Sequence, residues 1–325
     1  MGTIERQGSA AIGGRADDSR APGEIDGSDG AAGVGTRGLE RAREAGHSGR
    51  IVLWLAVALT VLFTYEGIVR ALLLPAVRLP LIPGGLVSLT SLLALGSLAH
   101  AWYALGWRNT AVFFALSAVV SWLFEEVGVA TGLVYGPYHY TGYLGTKLGE
   151  VPLLIPLAWF MMIYPSYVVA GLVLGRRPFG TPRGPVRLVT LAAAGAVVMT
   201  AWDLVVDPIL SGPSVRAWIW ESGGPYYGVP IHNYAGWLLT TLVVYLAYRA
   251  FEQRFDPAPL GPLAGWPTAL PLATYGLMLA SNLLSGIAPA GLEIIGPAVM
   301  GVPLAAAAWQ LRWLRQADRT APALP

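Results

Sequence analysis

The chain has 325 residues, of which 54% are hydrophobic and only 12% are charged. About a quarter of the residues in a soluble domain are usually charged, so this composition indicates an integral membrane protein. The absence of cysteine excludes disulfides, thiolate metal ligands and cysteine nucleophiles. The net charge is only +2, and no basic surface with interleaved aromatic residues is present, which excludes nucleic acid as a partner.

Residues 1–49 are rich in Gly, Ala, Ser, Arg and Asp and contain no aromatic residue. Such a segment buries too little apolar surface to fold, so we predict a disordered cytoplasmic tail. The tail contains the pattern Gly33-x-Gly35-x-x-Gly38, but no strand precedes it, so it does not predict a dinucleotide site. The first apolar run begins at Ile51, and we expect it to be a retained membrane span rather than a signal peptide.

Eight apolar runs have the roughly 20 residues that a helix needs to cross a bilayer. They predict an all-α, polytopic membrane domain over residues 50–315, followed by a short cytoplasmic tail at 316–325. The Pro and Gly content of the last two runs also allows broken helices there. The predicted spans are residues 51–73, 85–105, 110–132, 151–174, 186–209, 230–250, 266–287 and 290–311.

The distribution of basic residues between the predicted loops indicates the orientation of the chain. The tail next to the first span, the loops on that side and the segment after the last span hold fourteen arginines, whereas the opposite loops hold only four Arg or Lys residues. Cytoplasmic segments carry the excess of positive charge. We therefore predict a multi-pass protein of the cell membrane with both termini in the cytoplasm, which an even number of spans also requires.

Several carboxylates lie inside the predicted spans, where charge is costly and commonly functional. At 1.5 Å per residue, Glu125 lies about 22 Å and Asp203 about 26 Å from the cytoplasmic start of its span. This shared depth, in the outer third of the membrane, predicts a common cavity. Glu66 and Asn282 lie at a similar depth, and Asp207 and Glu293 lie close to the outer ends of their spans.

Two helical stripes of small and polar residues contain these carboxylates. Such stripes mark helix contacts in membranes, so we expect both to face the interior of the bundle. Glu126 shares a different face with Trp122 and Ala130, which makes Glu125 the stronger of the two adjacent candidates. The acids could alternatively do no more than hydrogen-bond neighbouring helices. The stripes consist of Ser117, Ser121, Glu125, Gly128 and Gly132, and of Ala196, Thr200, Asp203 and Asp207.

The two carboxylate-bearing regions resemble each other in sequence. Gly136-Pro137-Tyr138 recurs as Gly224-Pro225-Tyr226. A Val-Pro pair precedes Trp159 and Trp237, with the same spacing of seven residues from Pro to Trp. We predict two Tyr-rich outer loops that cover the acidic cavity, although convergent loop chemistry would produce the same pattern.

Several enzyme classes lack the residues that their chemistry requires. The four histidines are isolated, which argues against a membrane di-iron centre, and no P-loop or Gly-x-Ser-x-Gly motif is present. Asp203-x-x-x-Asp207 could hold Mg²⁺ against a diphosphate, as in intramembrane prenyltransferases, but the spans contain no second Asp-rich cluster. We therefore predict neither a metal nor a cofactor.

Acid–base chemistry on an apolar substrate remains. Burial in an apolar pocket makes a carboxyl group easier to protonate, so that it can serve as a general acid. A second carboxylate can position water, and aromatic faces can stabilise a developing cation. These groups suffice to add water to an alkene through a tertiary carbocation.

The residues that carry this chemistry also resemble a known family. The blocks EEVGVATGLVYGPYHY, AWDLVVDP, WIWE and GPYYGVPIHNYAGW are similar to those of the CruF-type carotenoid hydratases, which are integral-membrane carotenoid biosynthesis proteins. The likeness covers roughly residues 50–315 and is strongest over 120–240. It implies hydration of the terminal (ψ-end) 1,2 double bond of an acyclic or monocyclic carotenoid, such as lycopene or γ-carotene, within the bilayer, with other carotenoid enzymes as possible partners.

We predict that Glu125 or Asp203 donates the proton and that the other, with Asp207, positions the water. Glu126 is the weaker fourth candidate. A small polytopic lycopene cyclase, a prenyltransferase-like carotenoid enzyme and a proton-coupled carrier remain as alternatives that use the same acids. The predicted substrate-binding residues are Tyr138, Trp202, Tyr226, Trp237 and Asn233.

Overall fold

The computed structural model describes residues 46, 48–69, 72, 85–175, 177–255 and 265–320. The predicted disordered tail, with its glycine pattern, lies outside these residues except at its very end. The last five residues of the predicted C-terminal tail lie outside them as well.

The described residues form a mainly helical bundle. Six helical segments are long and apolar enough to cross a membrane, namely α1 to α5 and the combined segment Leu292–Ala317. The helices are α1 (Ser48–Val69), α2 (Gly85–Leu105), α3 (Trp107–Thr131), α4 (Leu154–Gly175), α5 (Pro185–Leu210), α6 (Ile231–Phe255), α7 (Ala269–Leu283), α8 (Leu292–Gly296) and α9 (Val302–Thr320).

The structure supports an all-α membrane protein, and the count of eight spans stays a prediction. α6 has 25 residues but carries His232, Asn233 and several Thr and Tyr residues, which lower its mean hydropathy. α7 has only 15 residues, so it is short for a span. The last predicted span is interrupted as its Pro and Gly content allows, because a π-helical turn at Pro297–Gly301 separates α8 from α9.

α4 is the central helix of the bundle. It is apolar on all sides, which is typical of a helix enclosed by others. Phe160, Tyr164 and Val168 are completely buried. α4 packs against α2, α3 and α5, and α5 packs in turn against α6. This arrangement brings the helices that bear the predicted site residues around one central element.

Four short strands lie in the segments between the helices, where we had predicted loops. They are β1 (Tyr138–Tyr140), β2 (Lys147–Leu148), β3 (Val151–Pro152) and β4 (Trp218–Trp220). β2 and β3 form an antiparallel hairpin. β1 and β4 form a second antiparallel pair, although some eighty residues separate them in the chain. This second pair joins the two carboxylate-bearing regions directly.

Candidate active site

The pair β1–β4 presents four aromatic side chains to the interior of the protein. Tyr138 lies opposite Trp220, and Tyr140 lies opposite Trp218. Alternate residues of a strand point to the same face. Tyr138 and Tyr140 are accordingly buried, whereas the side chain of His139 between them is about half exposed.

Glu125 lies beneath this aromatic face, on the buried stripe of α3. Its side chain is only 4% exposed. The hydroxyl groups of Tyr138 and Tyr140, both on β1, donate hydrogen bonds to Oε2. The bond from Tyr140 is 2.8 Å long. The indole N–H of Trp159 donates to Oε1 at 3.1 Å. Three donors from a strand and a neighbouring helix therefore hold one buried carboxyl group.

Asp207 has a matching environment on the other side of the pair. The indole N–H groups of Trp218 and Trp220 donate to Oδ1 at 2.8 and 3.2 Å. The Nδ2 atom of Asn233 donates to Oδ2 at 2.7 Å. Each carboxyl group is thus bound by alternate side chains of the strand that follows its own helix.

The tryptophans that end the Val-Pro repeat also meet. The rings of Trp159 and Trp237 stack with their centroids 4.1 Å apart and an interplanar angle of 16°. Trp202 contacts Trp237 edge to face at 5.8 Å. The common spacing from Pro to Trp therefore places equivalent residues of the two regions against each other, beside both carboxyl groups.

These groups surround a cavity of about 100 Å³. Its wall is mostly apolar and aromatic, as is usual for a site that binds a small apolar molecule. The lining residues are Leu86, Thr90, Glu125, Tyr135, Tyr138, Tyr140, Leu144, Leu154, Ile155, Ala158, Trp159, Met161, Trp202, Val206, Asp207, Leu210, Trp218, Trp220, Asn233, Trp237, Met278 and Asn282.

Most of the predicted site residues lie in this wall. Glu125 and Asp207 are the predicted catalytic residues that line it. Two other polar residues were noted inside the predicted spans. Asn282 lines the cavity, whereas Glu293 accepts the backbone N–H of Gly291 at 2.8 Å. The predicted substrate-binding residues in the wall are Tyr138, Trp202, Trp237 and Asn233.

Three predicted site residues lie outside the wall. Asp203 is fully buried behind Asn233, whose Nδ2 atom donates to Asp203 Oδ2 at 2.7 Å. Glu126 accepts the backbone N–H of Glu150 at 2.8 Å, and so holds the β2–β3 hairpin. Tyr226 donates to the carbonyl of Leu204 at 2.9 Å. The structure therefore brings Glu125 to the same cavity as Asp207 rather than Asp203.

Four residues that donate hydrogen bonds to the two carboxyl groups were missed from the sequence, namely Tyr140, Trp159, Trp218 and Trp220. The alternation of aromatic residues in Tyr-His-Tyr and Trp-Ile-Trp is the pattern of a half-buried strand. Each run has only three residues, and without its partner such a run reads as a loop. The repeat had already drawn attention to Trp159, but not to its contact with Glu125.

The phenols above Glu125 stay neutral over the physiological pH range. Burial, and secondarily the neighbouring Glu125 carboxylate, raise the pKa of Tyr138 and of Tyr140 well above the usual value of 10. Both side chains therefore keep a proton that they can donate in a hydrogen bond. A hydroxyl group can also accept, so the same two groups can pair with a protonated carboxyl group.

Asp207 lacks this adaptability. An indole N–H is a donor only, and both indoles bind Oδ1. The amide N–H of Asn233 occupies Oδ2. Asp207 is therefore held as an acceptor, whereas Glu125 has partners that suit either protonation state. The two carboxyl groups are equipped for different parts of an acid–base reaction.

Comparison with known proteins identifies the relatives of this chain. Residues 85–308 match the family described as carotenoid biosynthesis protein. The chain is 36% identical over 154 residues to bisanhydrobacterioruberin hydratase of Haloarcula japonica, an alignment that covers 47% of this chain and 48% of that protein. The chain thus spans about half the length of the curated relative that it matches. No solved structure matches the chain.

Proposed function

Because the chain belongs to the carotenoid biosynthesis protein family, we propose that it is a membrane hydratase that adds water to the terminal 1,2 double bond of an acyclic or monocyclic carotenoid. One observation carries the proposal. Two carboxyl groups with different hydrogen-bond partners face a single cavity whose wall is otherwise apolar and aromatic. The named activity of the relative, a carotenoid hydratase, agrees with this chemistry.

In the first step, the carboxyl group of Glu125 protonates the alkene. The proton adds to C2, the carbon with fewer substituents, and the electron pair of the double bond leaves a tertiary cation at C1. The hydroxyls of Tyr138 and Tyr140 donate to the carboxylate that forms. Charge-assisted hydrogen bonds of this kind are about twice as strong as neutral ones.

The aromatic wall stabilises the cation. Trp159 and Trp237 lie stacked in the cavity wall, and Trp202 lies across their edge. An aromatic ring face can stabilise a desolvated cation by about 2 kcal/mol. The stacked pair also excludes bulk water. The cation then either adds a single bound water or loses a proton and becomes an alkene again.

In the second step, water attacks the cation and forms the C–O bond of a tertiary alcohol. Asp207 orients this water, since its oxygens are held as acceptors by three N–H groups. Solvent takes the surplus proton of the added water and returns one to Glu125. The net reaction is addition of one water, without a cofactor or a change of oxidation state.

The same proposal includes the placement of the protein in the membrane. α6 and α7 complete eight crossings, both termini lie in the cytoplasm, and the β1–β4 pair lies at the outer face of the cell membrane. A carotenoid is about as long as the hydrocarbon core is thick, about 30 Å. Its end can reach the cavity while its polyene lies among the spans, and the interface supplies the water.

Expression of the chain in bacteria that accumulate lycopene, γ-carotene or bisanhydrobacterioruberin tests the function. We expect at least one strain to form a pigment heavier by one water, and the Glu125→Gln variant to form none. If no strain forms such a product, the proposal is wrong for these substrates. A pigment of unchanged mass and shifted absorption would indicate ring closure instead of hydration.

A further inference from the structure

A second cavity lies at the opposite ends of the helices that form the active site. It is open, with about 1970 Å³ of space outside the protein atoms. The end of α4, the start of α5 and the last turns of α6 enclose it. Its wall contains the side chains of four arginines and one glutamine, namely Arg177, Arg183, Arg187, Arg249 and Gln253.

The charge of this cavity is strongly positive. Four arginines line it. Glu252 accepts a hydrogen bond from Arg249 at 3.0 Å, and so balances one of the four charges. Within the part of the chain that the structure describes, no ion pair joins Arg177, Arg183 or Arg187 to a carboxylate. The cavity therefore has an excess of positive charge that an anion would balance.

Arg249 forms the buried wall of the cavity. Its side chain is only 2% exposed, and its guanidinium lies 3.9 Å from the centre of the Tyr167 ring. One terminal nitrogen binds Glu252 and, at 3.3 Å, the carbonyl of Gly180. These contacts hold the charge of Arg249 at the buried wall of the cavity.

The backbone around the cavity also favours an anion. α5 begins at Pro185 without a side-chain cap. The start of a helix carries partial positive charge and unpaired N–H groups, which bind phosphate and similar anions. Gln253 holds the approach to this helix, because its Nε2 atom donates to the carbonyls of Pro182 and Gly184 at 2.9 and 3.1 Å.

The depth of the cavity matches the headgroup layer of a membrane. α4 has 22 residues and runs from the active-site cavity to this second cavity. Its length is about 33 Å at 1.5 Å per residue, which is close to the thickness of the hydrocarbon core. The end of α4 at the second cavity thus lies where lipid phosphates are found, about 24 Å along the helix from Trp159, which binds Glu125.

We propose that this cavity binds a phosphate group, carried either by an anionic membrane lipid or by a soluble phosphate compound. Arginine suits such a ligand because its planar fork of donors matches the phosphate oxygens. The start of α5 binds from the backbone, the exposed Arg177 and Arg183 bind from the rim, and Arg249 adds its charge from the buried wall. The proposal is independent of the reaction in the first cavity.

Binding to delipidated protein in detergent tests the proposal. The probes are phosphatidylglycerol, phosphatidylcholine and inorganic pyrophosphate, each at constant ionic strength, and the readouts are native mass spectrometry and the thermal unfolding temperature. Arg183→Gln and Arg177→Gln change exposed side chains, so the fold should persist. Each should weaken binding about fivefold, since a basic residue beside an anionic membrane surface is worth about 1 kcal/mol.

Arg108→Gln is the matched control, because Arg108 is exposed, lies outside the cavity and loses the same charge. It should change binding less than twofold. Binding of phosphatidylglycerol alone would support the site and assign it to lipid, and binding of pyrophosphate as well would support a general phosphate site. The proposal is overturned if neither phosphatidylglycerol nor pyrophosphate binds, or if the cavity variants bind these probes as well as Arg108→Gln does.

Discussion

Glu125 has partners that suit both a protonated and an ionised carboxyl group, and this property supports its proposed role as proton donor. Glu125→Gln keeps the shape of the side chain but removes the transferable proton. We expect hydration to fall by about 10²-fold or more, because general acid catalysis is worth about 10² to 10⁴. The rate of product formation in membranes that contain the carotenoid measures this loss.

Glu126→Gln is the matched control for that variant, since it makes the same chemical change at the adjacent position. The Oε1 atom of Glu126 accepts the backbone N–H groups of Glu150 and Val151, and the amide oxygen of Gln can do the same. Glu126→Gln should hydrate at nearly the unmodified rate. Equal losses in the two variants would contradict the assignment of Glu125.

The two aspartates of α5 should respond differently to the same substitution. Every donor around Asp207 points at one of its oxygens, so Asp207→Asn places an amide N–H against another donor and removes the carboxylate that orients the water. We expect a loss of about 10²-fold in hydration. Asp203 Oδ1 has no described partner, so Asp203→Asn can turn its N–H₂ there and keep most of the activity. Pigment analysis of both variants, with equal protein content in the membrane, compares them, and the reverse order would exchange the two roles.

The buried phenols should resist ionisation until the protein unfolds. Burial raises the pKa of Tyr138 and of Tyr140 well above the usual value of 10. The unfolded chain loses these protons first, so the stabilisation is fully present below pH 10 and is lost as the pH rises through the folded-state values. An ultraviolet titration in detergent should show the absorbance of these phenolates only together with unfolding. Their ionisation in the folded protein near pH 10 would contradict the burial.

At the scale of elements, Gly128 on α3 and Gly236 on α6 allow the two helices to approach the ring of Tyr135. A Cβ atom on Gly128 would lie 2.7 Å from ring carbon Cδ2 of Tyr135. Gly128→Ala should therefore destabilise the protein by about 1 to 3 kcal/mol, because packing around the ring is already tight. Thermal unfolding in detergent measures the effect. Gly142→Ala is the control, since nothing lies within 4 Å of its added methyl group, and a comparable loss there would exclude the steric explanation.

The helical stripes could be predicted from the sequence, and the strands could not. Ser117, Ser121 and Glu125 are buried on α3, as their spacing predicts. Helical spacing is a local property, so one segment is enough to show it. The pairing of Tyr138 with Trp220 depends on two runs of three residues far apart in the chain. Without that pairing, the sequence did not indicate that Tyr140 binds Glu125 or that Trp218 and Trp220 bind Asp207.

At the scale of the whole molecule, the repeat was more informative than the depth of the acids. Depth along a helix axis placed Glu125 and Asp203 at one level, but it contains no information on which acid faces a cavity. Asn233 covers Asp203, and Asp207, one turn further along α5, lines the cavity instead. The repeat, by contrast, predicted two equivalent regions, whose tryptophans Trp159 and Trp237 stack in the structure.

The family was also predictable, because its motif blocks are long enough to be recognised in the sequence. The same blocks contribute residues to the wall of the cavity. Residues 85–308 match the carotenoid biosynthesis proteins, which confirms the resemblance seen in the sequence. The number of crossings was harder to predict. α6 carries so many polar residues that its hydropathy does not distinguish it as a span.

The most direct test of the account follows the oxygen atom. Membranes that contain the protein are supplied with the carotenoid substrate in water labelled with heavy oxygen, and the pigment is analysed by mass. We predict a product heavier by one labelled water, with the label in a tertiary alcohol at C1, and no such product from Glu125→Gln. A product without the label, or a pigment of unchanged mass, would contradict hydration in this cavity.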